Sequence, residues 1–230
     1  MPVHIHPTAA LAPRALLPGD PGRALALAQL VLAEPKMFNH NRGLWGYTGI
    51  AADGEPMTIQ STGMGGPSAA IVMEELCDLG LEVAIRVGTC GALDGGLSLG
   101  DLVVVDAALA CDGASRALGA GERVCADPRL VESLRVAAGD GVRTGAAASS
   151  DLFYDRDCGR AAGWVAAGAV AVEMEAATLL RVAELRGVRA GCLLAVSDVF
   201  DADGGRLRIE PEALVAAAQR LGEVGAAALS

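Results

Sequence analysis

The chain has 230 residues, of which 52% are apolar and 3% aromatic, and its formal net charge is −10 at pH 7. This length can bury one core, so we expect a single α/β domain over residues 1–230. The acidic balance argues against a general nucleic-acid or anionic-membrane surface. Without a membrane-length apolar run or an N-terminal secretion signal, the sequence predicts a cytoplasmic protein. Its six cysteines form no CxxC pair, which predicts reduced thiols and no metal site.

The first predicted element is a strand at residues 15–17, followed by a Gly/Pro loop at 18–23 and a helix with helical apolar spacing from Leu25 to Leu32. Free N–H groups at a helix N-terminus attract anions, and Arg23 falls in the first turn. The same loop residues also make ordinary turns, so this motif alone does not identify a site.

Two strands are predicted next, at residues 41–50 and 56–62, joined by a polar turn. A second glycine loop follows at 62–68 and leads into a helix with Val72, Leu76 and Leu79 on one face. A third glycine loop, 88–91, follows another strand. Such loops gather at the carboxyl edge of a parallel sheet, where ligands bind.

Arg86 lies inside the apolar stretch 83–91, which reads as a buried strand. A buried cation needs an anion, either a carboxylate of the protein or a ligand. The planar guanidinium suits phosphate, and Thr89 adds a hydroxyl nearby. Three glycine loops and two arginines on one sheet edge favour an anion pocket over an internal salt bridge.

The second half alternates strands and helices. Strands are predicted at 100–106, 142–148, 169–173 and 190–196. Helices are predicted at residues 129–138, in the segment that ends near Gly187, and from Pro211 onward. Loops are predicted at 112–115 and in the stretch that carries Arg206 and Arg208.

Two pairs of side chains in this half are candidates for ligand contact. Phe153 and Tyr154 are either a core plug or a flat face for a planar ring. Glu173 and Glu175 lie two residues apart; they either accept hydrogen bonds from a vicinal diol such as ribose, or are helix-start charges that suit the dipole.

Taken together, these residues resemble the nucleoside phosphorylase family, in particular the bacterial hexameric purine nucleoside phosphorylases and the related uridine phosphorylases. Seven ordered motifs spread over nearly the whole chain carry the resemblance: residues 16–23, 41–49, 62–68, 86–91, 150–154, 172–177 and 196–198.

The resemblance implies a three-layer α-β-α sandwich with a central mixed sheet, assembled as a homohexamer (a trimer of dimers) with shared sites. The residues that match the family's phosphate site are Gly19, Arg23, Arg86 and Thr89, with Arg42 from the neighbouring subunit. Those that match its ribose site are Met64, Met174 and Glu175, with His4 from the neighbour. His6, two residues away, is the alternative to His4. Those that match its base site are Phe153, Val172, Glu173 and Ser197. Asp198 would protonate the purine, and inorganic phosphate is the co-substrate, with no other cofactor.

Two departures from the family pattern matter. Residues 112–115 look more like uridine phosphorylases, yet the Gln and Arg that those enzymes use for uracil have no match between residues 155 and 171. The arginine that many purine enzymes carry in the closing helix has only Arg220 as a counterpart. Arg206 or Arg208 can substitute, and we assign Arg208 to catalysis beside Asp198.

The sequence therefore predicts phosphorolysis of purine (deoxy)ribonucleosides to free base and (deoxy)ribose 1-phosphate. Asp198 would act as general acid, with a pKa raised by burial. The alternatives are a uridine phosphorylase, a nucleosidase that uses water, and a non-catalytic nucleotide-binding module.

Overall fold

One mixed sheet organises the protein, as seen in a computed structural model that describes residues 2–155, 157, 159–200 and 205–230. Its strands within the described residues are β1 (Arg14–Leu17), β2 (Ala33–Asn39), β3 (Gly46–Ile50), β4 (Pro56–Gln60), β5 (Val83–Ala92), β6 (Leu102–Ala110), β7 (Arg123–Cys125), β8 (Arg143–Ser149), β9 (Ala169–Glu173), β10 (Arg189–Phe200) and β11 (Arg206–Arg208). Their order is β11-β10-β6-β8-β9-β5-β1-β4-β3-β2, with β7 paired to β6.

Helices cover both faces of this sheet. They are α1 (Pro21–Val31), α2 (Gly66–Asp78), α3 (Gly113–Ala117), α4 (Pro128–Ala138), α5 (Arg160–Ala166), α6 (Ala176–Arg186) and α7 (Pro211–Ala228). One apolar cluster contains Leu76 of α2 and Leu179 of α6, and another contains Leu27 of α1, Leu134 of α4 and Leu221 of α7. The predicted α/β sandwich with a central mixed sheet is confirmed.

Five strands of the sheet close on themselves. β5 pairs with β10, β10 with β6, β6 with β8, β8 with β9, and β9 again with β5. In this circuit Gly91 of β5 is the register partner of both Val172 and Asp198. The ends of β5, β9 and β10 therefore meet at one point, which collects residues from distant parts of the sequence.

Three parts of the first half differ from the sequence-based prediction. β2 was not predicted, because most of its residues are exposed and it contains Pro35, so no apolar alternation marks it. β3 begins at Gly46 rather than at residue 41, because Asn41–Gly43 form a 3-10 turn in which Arg42 has φ 57°. The predicted glycine loop at 88–91 is wrong, because these residues continue the strand β5, pairing with β10 as far as Gly91.

The second half also holds elements that the pattern did not indicate. The predicted loop at 112–115 is the start of α3, whose first turn is capped by Asp112. The predicted loop around Arg206 and Arg208 is β11, which pairs antiparallel with the end of β10. The three-residue β7 and the seven-residue α5 were not predicted either. No helix in the described part of the chain is long and apolar enough to cross a membrane.

Glu75 of α2 fastens the N-terminal arm to the body of the subunit. Its Oε1 accepts the backbone N–H of Val3 and lies 2.8 Å from Nδ1 of His4, and its Oε2 accepts the N–H of Ile5 at 2.6 Å. Burial raises the pKa of Glu75, but the hydrogen bonds from Ile5, His4 and Val3 outweigh it and lower the pKa to about 2. The arm, including His4, therefore has a fixed place on its own subunit.

Replacing Glu75 with Gln should weaken this attachment, because an amide NH2 then faces N–H donors in place of a carboxylate oxygen. We expect the free energy of unfolding at neutral pH to fall by about 1–3 kcal/mol. Since the folded-state pKa of Glu75 is depressed, its contribution is full above the unfolded pKa and is lost as the pH falls toward about 2. Denaturant unfolding of both proteins should thus show a smaller difference at about pH 3.5 than at about pH 7. The same difference at both pH values would contradict this account of the arm.

Candidate functional site

Two glycine loops are held against each other beside the start of α1 and α2. The N–H of Gly63 donates to the carbonyl of Gly19 at 3.0 Å, and the N–H of Thr62 donates to the carbonyl of Pro18 at 2.8 Å. Gly63 has φ +74°, and a Cβ there would lie 2.4 Å from Oγ of Ser68. Only glycine fits that position, which allows the backbones of the two loops to lie close together at the sheet edge.

Arg86 is the charged centre of this edge and is 3% exposed. Its Nε donates to Oε2 of Glu173 at 3.0 Å, and its Nη2 lies 2.6 Å from Oε2 of Glu175. Burial lowers the pKa of Arg86, but the charges of Glu175 and Glu173 more than offset this and the pKa is raised. Its Nη1 is buried and has no hydrogen-bond partner among the described residues. The internal salt bridge thus exists and still leaves one donor group of the guanidinium unmatched.

Glu173 is used entirely inside the protein. Its oxygens accept hydrogen bonds from Oγ of Ser149 at 2.5 Å, from the N–H of Glu175 at 2.8 Å and from the N–H of Ala176, in addition to Arg86. Burial raises the pKa of Glu173, and Arg86 acts in the opposite direction. This geometry makes the carboxylate a support for Arg86 rather than a group that faces a base.

Glu175 links Arg86 to the second glycine loop. It occupies the N-cap position of α6, and its Oε1 accepts the N–H of Gly65 at 2.5 Å while its Oε2 pairs with Arg86. Met174 beside it is half-buried, and Met64 of the loop is 85% exposed. Glu175 and Met64 thus lie at the loop for which the resemblance implies ribose contacts.

Arg23 brings a second guanidinium toward the first. Arg23 lies in the first turn of α1, where its backbone N–H donates to Oδ1 of the N-cap residue Asp20 at 2.6 Å. Burial lowers the pKa of Arg23, and the charge of Arg86 lowers it further, against the raising effects of Asp20 and Glu175. Two guanidiniums that repel each other favour an anion between them.

The backbone after Arg86 is shaped around its side chain. A Cβ at Gly88 would lie 2.7 Å from Nη2 of Arg86, so glycine leaves the space that the guanidinium occupies. Thr89 follows on β5, half-buried and opposite Ala195 of β10. Its position gives the same edge a hydroxyl group.

Asp198 lies at the end of β10 and is 2% exposed. Its Oδ1 accepts from Nε of Arg206 at 2.8 Å and from Nη1 of Arg208 at 3.2 Å, and its Oδ2 accepts from Oγ of Ser197 at 2.7 Å. Burial raises the pKa of Asp198, but the hydrogen bonds from Arg206 and Ser197 and the charges of both arginines lower it overall. The expectation of a raised pKa was therefore wrong for the free protein, because β11 brings two cations onto the carboxylate.

An aromatic wall stands next to Asp198. Phe153 is 45% exposed, so it is not a core plug, and its ring packs edge to face with that of Tyr154 at 5.0 Å between centroids. The Cζ of Arg206 lies 4.1 Å from the Phe153 centroid. A Cβ on Gly91 would be 3.3 Å from Val172 and 3.6 Å from Phe200, so these two side chains border the same end of β5.

Two of the residues singled out in the sequence lie outside this cluster. His4 is bound to Glu75, and the amide of Asn41 donates to its carbonyl at 2.9 Å. Arg42, next to Asn41, is exposed and has no ion pair or side-chain hydrogen bond within the described residues. His4 and Arg42 are thus fixed near each other on one subunit without reaching its own Arg86.

Sequence reasoning missed some contributors to the site. Ser149 holds Glu173, and its place at a strand end was the available signal. Phe200 is one of only three phenylalanines, a scarcity that already marked Phe153. Arg206 contacts Asp198 at a shorter distance than Arg208, the arginine assigned from the sequence. No cluster of His, Cys, Asp and Glu suited to a metal ion occurs in the described part of the chain.

Comparisons with known proteins identify the family. The model of the phosphorylase superfamily matches residues 13–230. A purine nucleoside phosphorylase (DeoD-type) of Clostridium beijerinckii is 38% identical over 208 residues, which are 87% of this chain and 87% of that protein. A guanosine phosphorylase of Halorubrum lacusprofundi is 37% identical over 186 residues (79% and 76%), and the uridine phosphorylase of Escherichia coli is 36% identical over 202 residues (79% and 78%). With the match covering nearly all of the sequence and these relatives aligned over most of their length, the chain belongs to the phosphorylase superfamily.

Proposed function

We propose that the protein cleaves purine nucleosides by phosphorolysis, giving the free base and ribose (or deoxyribose) 1-phosphate, with inorganic phosphate as co-substrate. The observation that carries the proposal is the buried Nη1 of Arg86, which has no hydrogen-bond partner in the part of the chain that the structure describes and is close enough to Arg23 for the two charges to interact. A buried unmatched donor is unfavourable by about 1–3 kcal/mol, and a phosphate oxygen supplies the missing acceptor.

The reaction follows from the order of groups along the edge. Phosphate held by Arg23, Arg86 and Thr89 lies below C1′ of the sugar, and Glu175 beside Arg86 accepts hydrogen bonds from the ribose hydroxyls. As the bond from C1′ to N9 breaks, its electron pair moves to the purine and positive charge develops on the sugar. The adjacent anion stabilises that charge, and a phosphate oxygen then forms the new bond to C1′.

The leaving purine is negatively charged unless N7 gains a proton, and Asp198 is our candidate donor. In the free protein its lowered pKa keeps it ionised near neutral pH, so it must take up the proton when the nucleoside binds. Phe153 provides a flat face for the base beside this carboxyl. Arg206 and Arg208 orient Asp198 from β11.

Uridine phosphorolysis is the second candidate, favoured by the relative from Escherichia coli. Two relatives instead carry names that specify purine or guanosine substrates. If the protein were a nucleosidase that uses water, no negatively charged acceptor would be present for Nη1 of Arg86. Assays with inosine, adenosine, guanosine and uridine separate these cases.

Cleavage of inosine should require phosphate, and Arg23→Gln should raise the phosphate KM by about tenfold or more through loss of one charge-assisted contact. Arg23 is the better choice for this test than Arg86, whose removal leaves Glu173 and Glu175 as unpaired buried carboxylates and endangers folding. Arg129→Gln, on an exposed position of α4, is the matched control. Equal rates with and without phosphate would leave the nucleosidase as the explanation.

Asp198→Asn separates proton donation from base binding. The amide keeps the shape and a hydrogen bond but is not an acid, so kcat for inosine should fall by about 10²-fold or more. A nucleoside methylated at N7, such as 7-methylguanosine, leaves as a neutral purine and should lose far less. Similar losses in kcat on both substrates would show that Asp198 only positions the base.

We further propose a homo-oligomer, a trimer of dimers, in which His4 and Arg42 complete the site of a neighbouring subunit. Their attachment near each other, away from the Arg86 of their own chain, supports this arrangement. The inactive variants Arg42→Ala and Asp198→Ala should then regain part of the activity when co-assembled, because some mixed sites carry neither substitution. Verified mixed oligomers without any recovery would count against shared sites.

A further inference from the structure

We propose that Arg206 makes the base pocket selective for 6-oxopurine nucleosides, such as inosine and guanosine, over the 6-aminopurine nucleoside adenosine. This inference rests on the proposed function, since it concerns which purine that site accepts. It follows from the hydrogen-bonding capacity of the groups around Asp198 and from where Arg206 lies.

Asp198 has almost no acceptor capacity left for a base. An ionised carboxylate offers about four lone-pair sites, two on each oxygen. Oδ1 already accepts from Arg206 and Arg208, and Oδ2 accepts from Ser197 at 2.7 Å, a shorter distance than the 3.2 Å from that hydroxyl to the carbonyl of Cys90. One site remains, on Oδ2. If the proton shared with N7 of the purine occupies it, no oxygen of Asp198 is left to accept from a 6-amino group.

Arg206 borders the pocket from the other side. Its guanidinium lies over the ring of Phe153, the proposed wall for the base, while its Nε holds Asp198. Its terminal nitrogens have no hydrogen-bond partner within the described residues. A guanidinium has only donors, and it cannot lose its proton in a protein. The edge of the pocket between Phe153 and Asp198 therefore presents N–H groups.

The 6-substituent of a purine lies on the same edge as N7, and it is the only strong difference on that edge between the two substrate types. Inosine and guanosine place a carbonyl oxygen there, which accepts, whereas adenosine places an amino group, which donates. The 6-oxo group accepts hydrogen bonds from the terminal N–H groups of Arg206. A 6-amino group also donates, so neither it nor these N–H groups find an acceptor in each other. Once the base covers the guanidinium of Arg206, an unmatched hydrogen bond there gives stronger discrimination than a difference in size.

The test compares inosine with adenosine in the assembled wild-type enzyme at saturating phosphate. We expect kcat/KM for inosine to exceed that for adenosine by about 10²-fold or more. Equal values, or a preference for adenosine, would overturn the inference while leaving phosphorolysis intact. Activity on neither purine would remove the proposed function and this inference with it.

Three variants show whether the donors of Arg206 are responsible. Arg206→Gln introduces a carbonyl oxygen that accepts from the 6-amino group, so the ratio of kcat/KM for inosine to that for adenosine should fall at least about tenfold. Arg206→Lys keeps a side chain that only donates and should hold the ratio within about threefold of wild type. Arg208→Gln removes the other contact to Oδ1 of Asp198 without touching the Phe153 face, so it should change rates more than the ratio.

Because Arg206 is partly exposed, these substitutions should fold, and thermal unfolding checks that they do. A shift in the ratio that is as large for Arg206→Lys as for Arg206→Gln would mean that only the orientation of Asp198 matters. An unchanged ratio in Arg206→Gln would mean that Arg206 does not meet the base. Either result contradicts the proposal.

Discussion

The buried pairing of Arg86 with Glu173 and Glu175 is the interaction on which the rest of the site depends. Removing one partner from a buried ion pair is unfavourable by about 3–5 kcal/mol, because the remaining charge is left without compensation. This cluster joins β5, β9, the start of α6 and, through Gly65, the second glycine loop. Among the described residues it also leaves one nitrogen of Arg86 without an acceptor. The same cluster thus fixes the scaffold and offers the donor on which the proposed phosphate site rests.

The closed circuit of five strands explains how such distant residues meet. Because β5 pairs with both β9 and β10, Gly91 faces Val172 on one side and Asp198 on the other. The charged cluster with Arg86 lies one way along β5, and the aromatic wall with Asp198 lies at its end. In the proposed reaction the sugar of the nucleoside lies at the charged cluster and its base at the wall. The order of groups along one strand therefore matches the order of groups in the proposed substrate.

Much of the fold was predictable because its signals are local. The apolar run around Arg86 and the glycine loops before α1 and α2 can be read directly from the sequence, and α7 begins at the predicted Pro211. β2 was missed, since an exposed strand containing Pro35 shows neither alternation nor an apolar run.

The electrostatics of the site could not be predicted in the same way. The pKa of Asp198 is lowered by Arg206 and Arg208, eight and ten residues further along, which reach it only because β11 folds back antiparallel on β10. Likewise, spacing alone left open whether Glu173 and Glu175 share a face toward a ligand or are helix-start charges. In the structure Glu173 turns inward to Ser149 and Arg86, and only Glu175 borders the loop. Such differences depend on tertiary contacts, which local pattern does not encode.

The central claim is that the Arg86 cluster accepts an anion and is not a closed structural salt bridge. Calorimetric titration of the free protein with inorganic phosphate, without any nucleoside, tests it most directly. We expect saturable binding with one site per subunit, weakened by about tenfold in Thr89→Val, which keeps the side-chain shape but removes the hydroxyl. Absence of saturable binding, or the same affinity in wild type and Thr89→Val, would contradict the account.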